Sequence, residues 1–225
     1  MKKLVLLVSV SIAVFVSGCG FSETATNSRD SGQTVETDSN LVSVEEAAKT
    51  ALKSGDTMPP FELPNANGQV IRSDQLLKEK NLVLVFYRGG WCPYCNTYLK
   101  KLQDNLSEID SSGGALVAIS AENPDDSLTT AQKHELRFHV LSDRQLSYAR
   151  KFRLVYQIPE KTDQRYKGKG IDLVVDNEMD KPELPISATY IVNQKGKIVY
   201  DFVEPDYKKR ATPEEVIGQL KKLAS

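Results

Sequence analysis

Asn81-Leu82-Val83-Leu84-Val85-Phe86-Tyr87-Arg88-Gly89-Gly90-Trp91-Cys92-Pro93-Tyr94-Cys95 is the stretch on which the fold turns. Asn81 to Tyr87 is a continuous apolar run of strand length, and a run buried on both faces belongs to a central strand of an α/β sheet. Downstream, Leu99, Leu102, Leu106 and Ile109 fall at i, i+3, i+7 and i+10, the stripe of an amphipathic helix, which Gly113-Gly114 ends. Cys92 and Cys95 form a C-x-x-C pair between strand and helix. Pro93 suits the first helical position, so Cys92 takes the N-cap and Cys95 the first turn. Backbone N–H groups there are unpaired and the helix dipole is positive. That field favours a thiolate, so the pair should be reactive, and one helical turn lets the two sulfurs bond. Arg88 adds a nearby positive charge.

Working outward, the rest of the chain alternates. Leu41 to Leu52 has helical spacing and is broken by Gly55-Asp56 and Pro59-Pro60. Phe61 to Pro64 and Gln69 to Arg72 read as a small hairpin about the turn Asn65 to Gly68. Ala115 to Ala121 is a second buried strand. Asp126 to Arg137 reads as helix, Phe138 to Leu141 as strand, and Asp143 to Tyr156 as helix. Gln157 to Leu184 has few apolar residues and is expected to be an inserted loop region. Ala188 to Val192 and Lys197 to Val203 are strands of a hairpin. Thr212, Pro213 and Glu215 spell a capping box opening a last helix. The order predicts an α/β domain over residues 41–225, with βαβ crossovers and a closing antiparallel hairpin.

The first residues read as an address. Met1-Lys2-Lys3 is a basic start, Leu4 to Val16 an almost unbroken apolar run, and Val16-Ser17-Gly18-Cys19 follows. That is the layout of a secretory signal, and the run is short for a membrane span. Val-Ser-Gly-Cys resembles the bacterial lipobox, which implies that residues 1–18 are a lipoprotein signal peptide and Cys19 the lipidated first residue of the mature chain. Two or more acyl chains there suffice for stable attachment to a membrane. Gly20 stands where an Asp would retain such a lipoprotein at the inner membrane, so the expected location is the cell envelope, with the outer membrane favoured where one exists. Residues 19–40 are rich in Ser, Thr, Asn, Asp and Gly and are expected to form a flexible tether of roughly 25 Å as a coil.

Composition excludes other classes. The chain has 29 Lys and Arg against 30 Asp and Glu, so no basic excess points to a nucleic-acid partner. Three cysteines cannot make a disulfide framework. Cys92 and Cys95 could be half of a zinc site with His134 and His139, but the separation is far from short zinc-finger spacing. A C-x-x-C after a buried strand in a βαβ pattern reads instead as redox.

Four stretches then resemble the peroxiredoxin-like branch of the alkyl hydroperoxide reductase/thiol-specific antioxidant family. They are Gly55 to Pro64 with Asn67-Gly68; Phe86 to Cys95; Ala118 to Ala121 with Leu141-Ser142-Asp143; and Ala188 to Val192. Val203 to Arg210 is similar to this branch too. The resemblance implies a thioredoxin-like fold, a central mixed β-sheet flanked by helices. It implies a hydroperoxide substrate, a thioredoxin-like protein as reductant, and neither cofactor nor metal. The family's attacking Cys lies three residues after a Thr, which assigns attack to Cys95 and puts Cys92 in the Thr place. Arg88 stands where the family has Pro, and Ser187 where it has an activating Arg before the Ala-Thr-Tyr strand. Arg88 is then the one nearby candidate to stabilise the departing oxygen, and a rate below that of a full peroxiredoxin is expected. Thiol–disulfide exchange with Cys92 as the exposed nucleophile stays open beside peroxide reduction. A non-enzymatic redox-fold binding module is a third class, against which the intact C-x-x-C argues.

Overall fold

The structure is a computed structural model and describes residues 42–224. The expected signal peptide, Cys19 and the expected tether lie outside the described residues. Helix α1 (Val44–Thr50) starts at Ser43, whose hydroxyl accepts the Glu46 N–H at 3.2 Å. Strands β1 (Glu62–Pro64) and β2 (Val70–Arg72) form the expected antiparallel hairpin. Helix α2 (Ser73–Glu79), which the apolar pattern does not announce, leads into β3 (Asn81–Phe86).

The helix after β3 is two helices. α3 (Pro93–Asp104) ends at Asn105, whose side-chain amide donates to the Lys101 carbonyl at 2.8 Å, and α4 (Leu106–Ser111) continues the apolar stripe. Next come β4 (Gly114–Ser120), α5 (Pro124–Lys133) and β5 (His139–Ser142). The expected long helix from Asp143 to Tyr156 is not formed. The buried Asp143 carboxylate accepts the N–H groups of Tyr148 and Ala149, each at 2.8 Å, while Gln145 and Leu146 adopt positive φ. That turn leaves only α6 (Ser147–Lys151), and the chain then extends as β6 (Val155–Gln157).

The segment expected to be a loop is structured. It contains α7 (Glu160–Lys167), α8 (Leu173–Asp176) and β7 (Glu183–Pro185), the last antiparallel to β6. The Asp172 carboxylate caps α8 by accepting the Val174 and Val175 N–H groups. Buried Leu173, Met179 and Leu184 anchor the segment to the core. Strands β8 (Ala188–Val192) and β9 (Ile198–Val203) precede α9 (Pro213–Ala224). The capping box of α9 is reciprocal: Glu215 accepts the Thr212 N–H at 2.7 Å, and Thr212 accepts the Glu215 N–H at 3.2 Å.

The central sheet is mixed, in the order β5-β4-β3-β8-β9. β3, β4 and β5 run parallel, while β8 is antiparallel to both β3 and β9. Alternation along β3 divides the core. Leu82, Leu84 and Phe86 face an aromatic cluster with Tyr148, Phe152 and Tyr190. Val83, Val85 and Tyr87 face the opposite layer, with Leu99 and Leu102 of α3 and Val216 and Leu220 of α9. Cys92 and Cys95 belong to that second layer, at the end of β3 where the parallel crossover begins.

Candidate active site

Cys92 is the N-cap of α3 and Pro93 its first residue, as the spacing predicts. The preceding loop is short and held at both sides of one residue. The Gly90 N–H donates to Glu122 Oε1 at 2.7 Å, and the Gly90 carbonyl accepts from Asn96 Nδ2 at 2.7 Å. The Cys92 N–H donates to the Gly89 carbonyl at 3.1 Å, closing the turn. Gly89 has φ +145°, a conformation that glycine favours. Gly90 is needed for a different reason, because a Cβ there would stand 2.0 Å from Thr130 Oγ1.

Both cysteines are free thiols and both are buried. Cys92 is therefore not the exposed nucleophile expected from its place at a helix cap. Trp91 and Tyr207 pack against the layer that holds it. The two sulfurs are unequal. The hydrogen bond from Cys95 brings the Cys92 thiol down to about 6, with Arg88 and Arg210 helping against the cost of burial. The same hydrogen bond and burial push Cys95 well above the ordinary thiol range. The hydrogen bond between them thus favours the thiolate on Cys92 and the proton on Cys95.

Arg88 is buried, and its Nη1 donates to Cys92 Sγ at 3.7 Å. Its guanidinium carbon lies 4.7 Å from the Trp91 ring centroid and 4.1 Å from that of Tyr207, and Nη2 donates to the Tyr166 hydroxyl. Tyr166 belongs to α7, so the segment read as loop reaches the site. The sequence reading missed a second arginine. Arg210 Nη2 donates to Cys95 Sγ at 3.6 Å from the connection between β9 and α9, and its guanidinium stands 5.7 Å from the Tyr98 ring. The signal available was its place in the family-like tail beside Lys208 and Lys209, but nothing local ties that tail to a cysteine 115 residues away.

Ser187, at the position where the family resemblance calls for an arginine, is buried just before β8. Its neighbour on the same sheet face, Thr189, exchanges a hydrogen bond with Tyr98 of α3 at 3.1 Å. A groove of about 680 Å³ runs beside the pair, lined by Tyr94, Tyr98, Lys101, Lys208, Arg210 and Pro213. Arg210 is common to the groove and to Cys95. His134 and His139 make no metal centre with the pair: among the described residues no three His, Cys, Asp or Glu side chains gather as a metal-holding group.

Comparison with known proteins defines the class. The AhpC/TSA family pattern matches residues 54–201, and the chain belongs to the AhpC/TSA family. A putative peroxiredoxin bcp from Buchnera aphidicola subsp. Schizaphis graminum is 36% identical over 103 residues, 46% of this chain and 65% of that protein. Peroxiredoxin Bcp of Escherichia coli K12 is 33% identical over 92 residues, 41% of this chain and 58% of its own length. The chain thus spans a little under two-thirds of these relatives. Among solved structures, peroxidoxin BcpB from Mycobacterium tuberculosis superposes with a TM-score of 0.62 at 20% identity, covering 77% of this chain and 99% of that one. Peroxiredoxin Q of Xanthomonas campestris gives 0.59 at 17% identity, covering 78% and 99%. These likenesses give the fold: a thioredoxin-like α/β domain with a central mixed sheet.

Proposed function

We propose that this chain is a thiol-dependent peroxidase that reduces hydroperoxides through Cys92 and Cys95. One observation carries the reading: in a member of this family, two cysteines stand one helical turn apart at the start of α3, and each sulfur accepts a hydrogen bond from its own guanidinium. The Cys95 thiolate attacks the terminal peroxide oxygen. An S–O bond forms, the O–O bond breaks, and the alcohol leaves with a proton. The Cys92 thiolate then attacks the sulfenic sulfur and expels hydroxide, which is protonated to water. The net change is dithiol plus hydroperoxide to disulfide, alcohol and water. A thioredoxin-like protein returns two electrons. The arginines hold the developing negative charge in a buried setting, where charge–charge interaction is strong.

A second reading has its own support. The Cys92 thiol is brought down to about 6 and accepts a hydrogen bond from Arg88, the lowered pKa and cationic setting that thiol–disulfide exchange uses. Single-turnover oxidation of the reduced protein by hydrogen peroxide, followed by Trp91 fluorescence with a count of thiols, separates the two. The peroxidase loses two thiols per peroxide within the fluorescence transient. A protein inert to peroxide that still opens a disulfide is an exchange enzyme.

Lipidation of Cys19, and attachment to a membrane of the cell envelope, is part of the same proposal. It rests on the lipobox and on the polar stretch that follows it.

A further inference from the structure

We propose that Arg88 and Arg210 divide the reduced pair between two chemistries, and that Arg210 is the residue that selects Cys95, and with it peroxide, as the reaction partner. This rests on the peroxidase reading. A dithiol that has lost one proton has two arrangements: thiolate on Cys92 with thiol on Cys95, or the reverse. Moving the proton across the shared hydrogen bond converts one into the other. A guanidinium in contact with a sulfur stabilises the thiolate on that sulfur, more strongly when water is excluded. Arg88 touches Cys92 at 3.7 Å and Arg210 touches Cys95 at 3.6 Å, so the two cations pull the proton in opposite directions.

They are held in different ways. Arg88 is fixed between Trp91 and Tyr207 and by the Tyr166 hydroxyl. Arg210 is fixed by its own segment: Nη1 donates to the Lys209 carbonyl at 2.8 Å, the Lys209 N–H donates to the Asp206 carbonyl at 2.9 Å, and Ala211 is fully buried. Arg210 also lines the 680 Å³ groove, whereas Arg88 does not. The Cys95 side is therefore the one where a guanidinium meets both a sulfur and a space that admits a small substrate. A planar guanidinium has five N–H donors, enough to hold the thiolate and the departing peroxide oxygen together. In that arrangement the Cys92 thiol supplies the proton for the departing alkoxide and becomes the thiolate that closes the disulfide. Without Arg210 nothing on the Cys95 side draws the thiolate away from Cys92, and the pair is confined to the arrangement that attacks disulfides.

The test compares wild type, Arg210→Gln, Arg210→Lys and Arg88→Gln. Three readouts are taken: the rate with hydrogen peroxide by Trp91 fluorescence, the rate with oxidised glutathione, and the site of iodoacetamide labelling by mass mapping at pH 7. Arg210→Gln should slow the peroxide reaction about tenfold or more, change the glutathione rate by less than about twofold, and leave labelling at Cys92 as in wild type while removing any labelling of Cys95. Arg210→Lys keeps the charge without the fork, so it should recover part of the peroxide rate and report against simple unfolding. Arg88→Gln should lower the glutathione rate more than the peroxide rate. An Arg210→Gln protein that keeps its peroxide rate, or loses both rates equally while Arg210→Lys recovers neither, overturns the division. A wild-type protein inert to peroxide overturns the peroxidase reading and the division with it; the first outcomes overturn the division alone.

Discussion

Glu122 and Gly90 are joined across the site: a carboxylate from the loop after β4 accepts, at 2.7 Å, the N–H of a glycine two residues ahead of Cys92. Ser120 Oγ and Tyr87 Oη lie at 3.4 and 3.5 Å from the other carboxylate oxygen. The parallel neighbour of β3 therefore holds the redox loop as well as the sheet.

Burial raises the Glu122 carboxyl to about 7, with Asp126 adding to the rise and the Gly90 N–H opposing it. The folded pKa is above the unfolded one. Below about pH 4.5 both states are protonated and nothing is lost. Between there and about 7 the unfolded chain ionises first, so stability falls as pH rises, and the full cost is present above 7. Glu122→Gln keeps an acceptor for Gly90 and removes the charge. Thermal unfolding should show the variant gaining roughly 1–3 kcal/mol over wild type at pH 8 and nothing at pH 4. Equal pH profiles for the two proteins would rule this out.

Thiolate absorbance should place the first transition of the reduced pair near pH 6. Cys92→Ser should abolish it. Cys95→Ala removes the largest cause of the lowering and should move the Cys92 transition up toward the ordinary thiol range near 8.5. A wild-type transition already at that ordinary value would show that the two sulfurs do not share a proton.

Gly90→Ala should destabilise by about 1–3 kcal/mol, because the added methyl meets a buried threonine and relief requires backbone or side-chain movement. Adding Thr130→Ala removes the nearer atom and should recover part of the loss in denaturant unfolding. The two changes would then couple, as residues in contact do. Strictly additive costs would mean that the loop relaxes away from Thr130.

Wild-type protein expressed in a bacterial host should fractionate with membranes and carry a lipid mass on Cys19. Cys19→Ala should lose both. A wild-type protein recovered without lipid, in the soluble fraction, would count against the anchor.

The parts of this molecule legible in sequence are those encoded by neighbours. The apolar run of β3, the place of Cys92 and Pro93 at the start of α3, and the Thr212–Glu215 box each need only a few adjacent residues, and the structure has them as expected. Asp143 defeats pattern reading because a side chain competes with the backbone for N–H groups and sets a turn in a segment of helical spacing. The segment from 157 to 184 is mostly polar, and its fold rests on a few anchors such as Leu173 and Leu184. The inequality of Cys92 and Cys95, and the approach of Arg210, come from burial and from contacts across the sheet, which no local spacing carries.

Of the residues that contact the two sulfurs, Arg210 comes latest in the chain. Synthesis delivers Cys92 and Cys95 well ahead of the guanidinium that contacts Cys95, which lies 115 residues beyond that cysteine. Until β9 has paired with β8 and α9 has docked, the emerging chain owns a dithiol but lacks both Arg210 and the Tyr207 ring that covers Arg88. On the proposed reading, the contact that would favour a Cys95 thiolate is completed only at the closing edge of the sheet, without any cleavage or added group. A chain truncated after Val203 would retain every strand of the central sheet but lose Arg210 together with Val216 and Leu220, which close the core layer that holds the two cysteines.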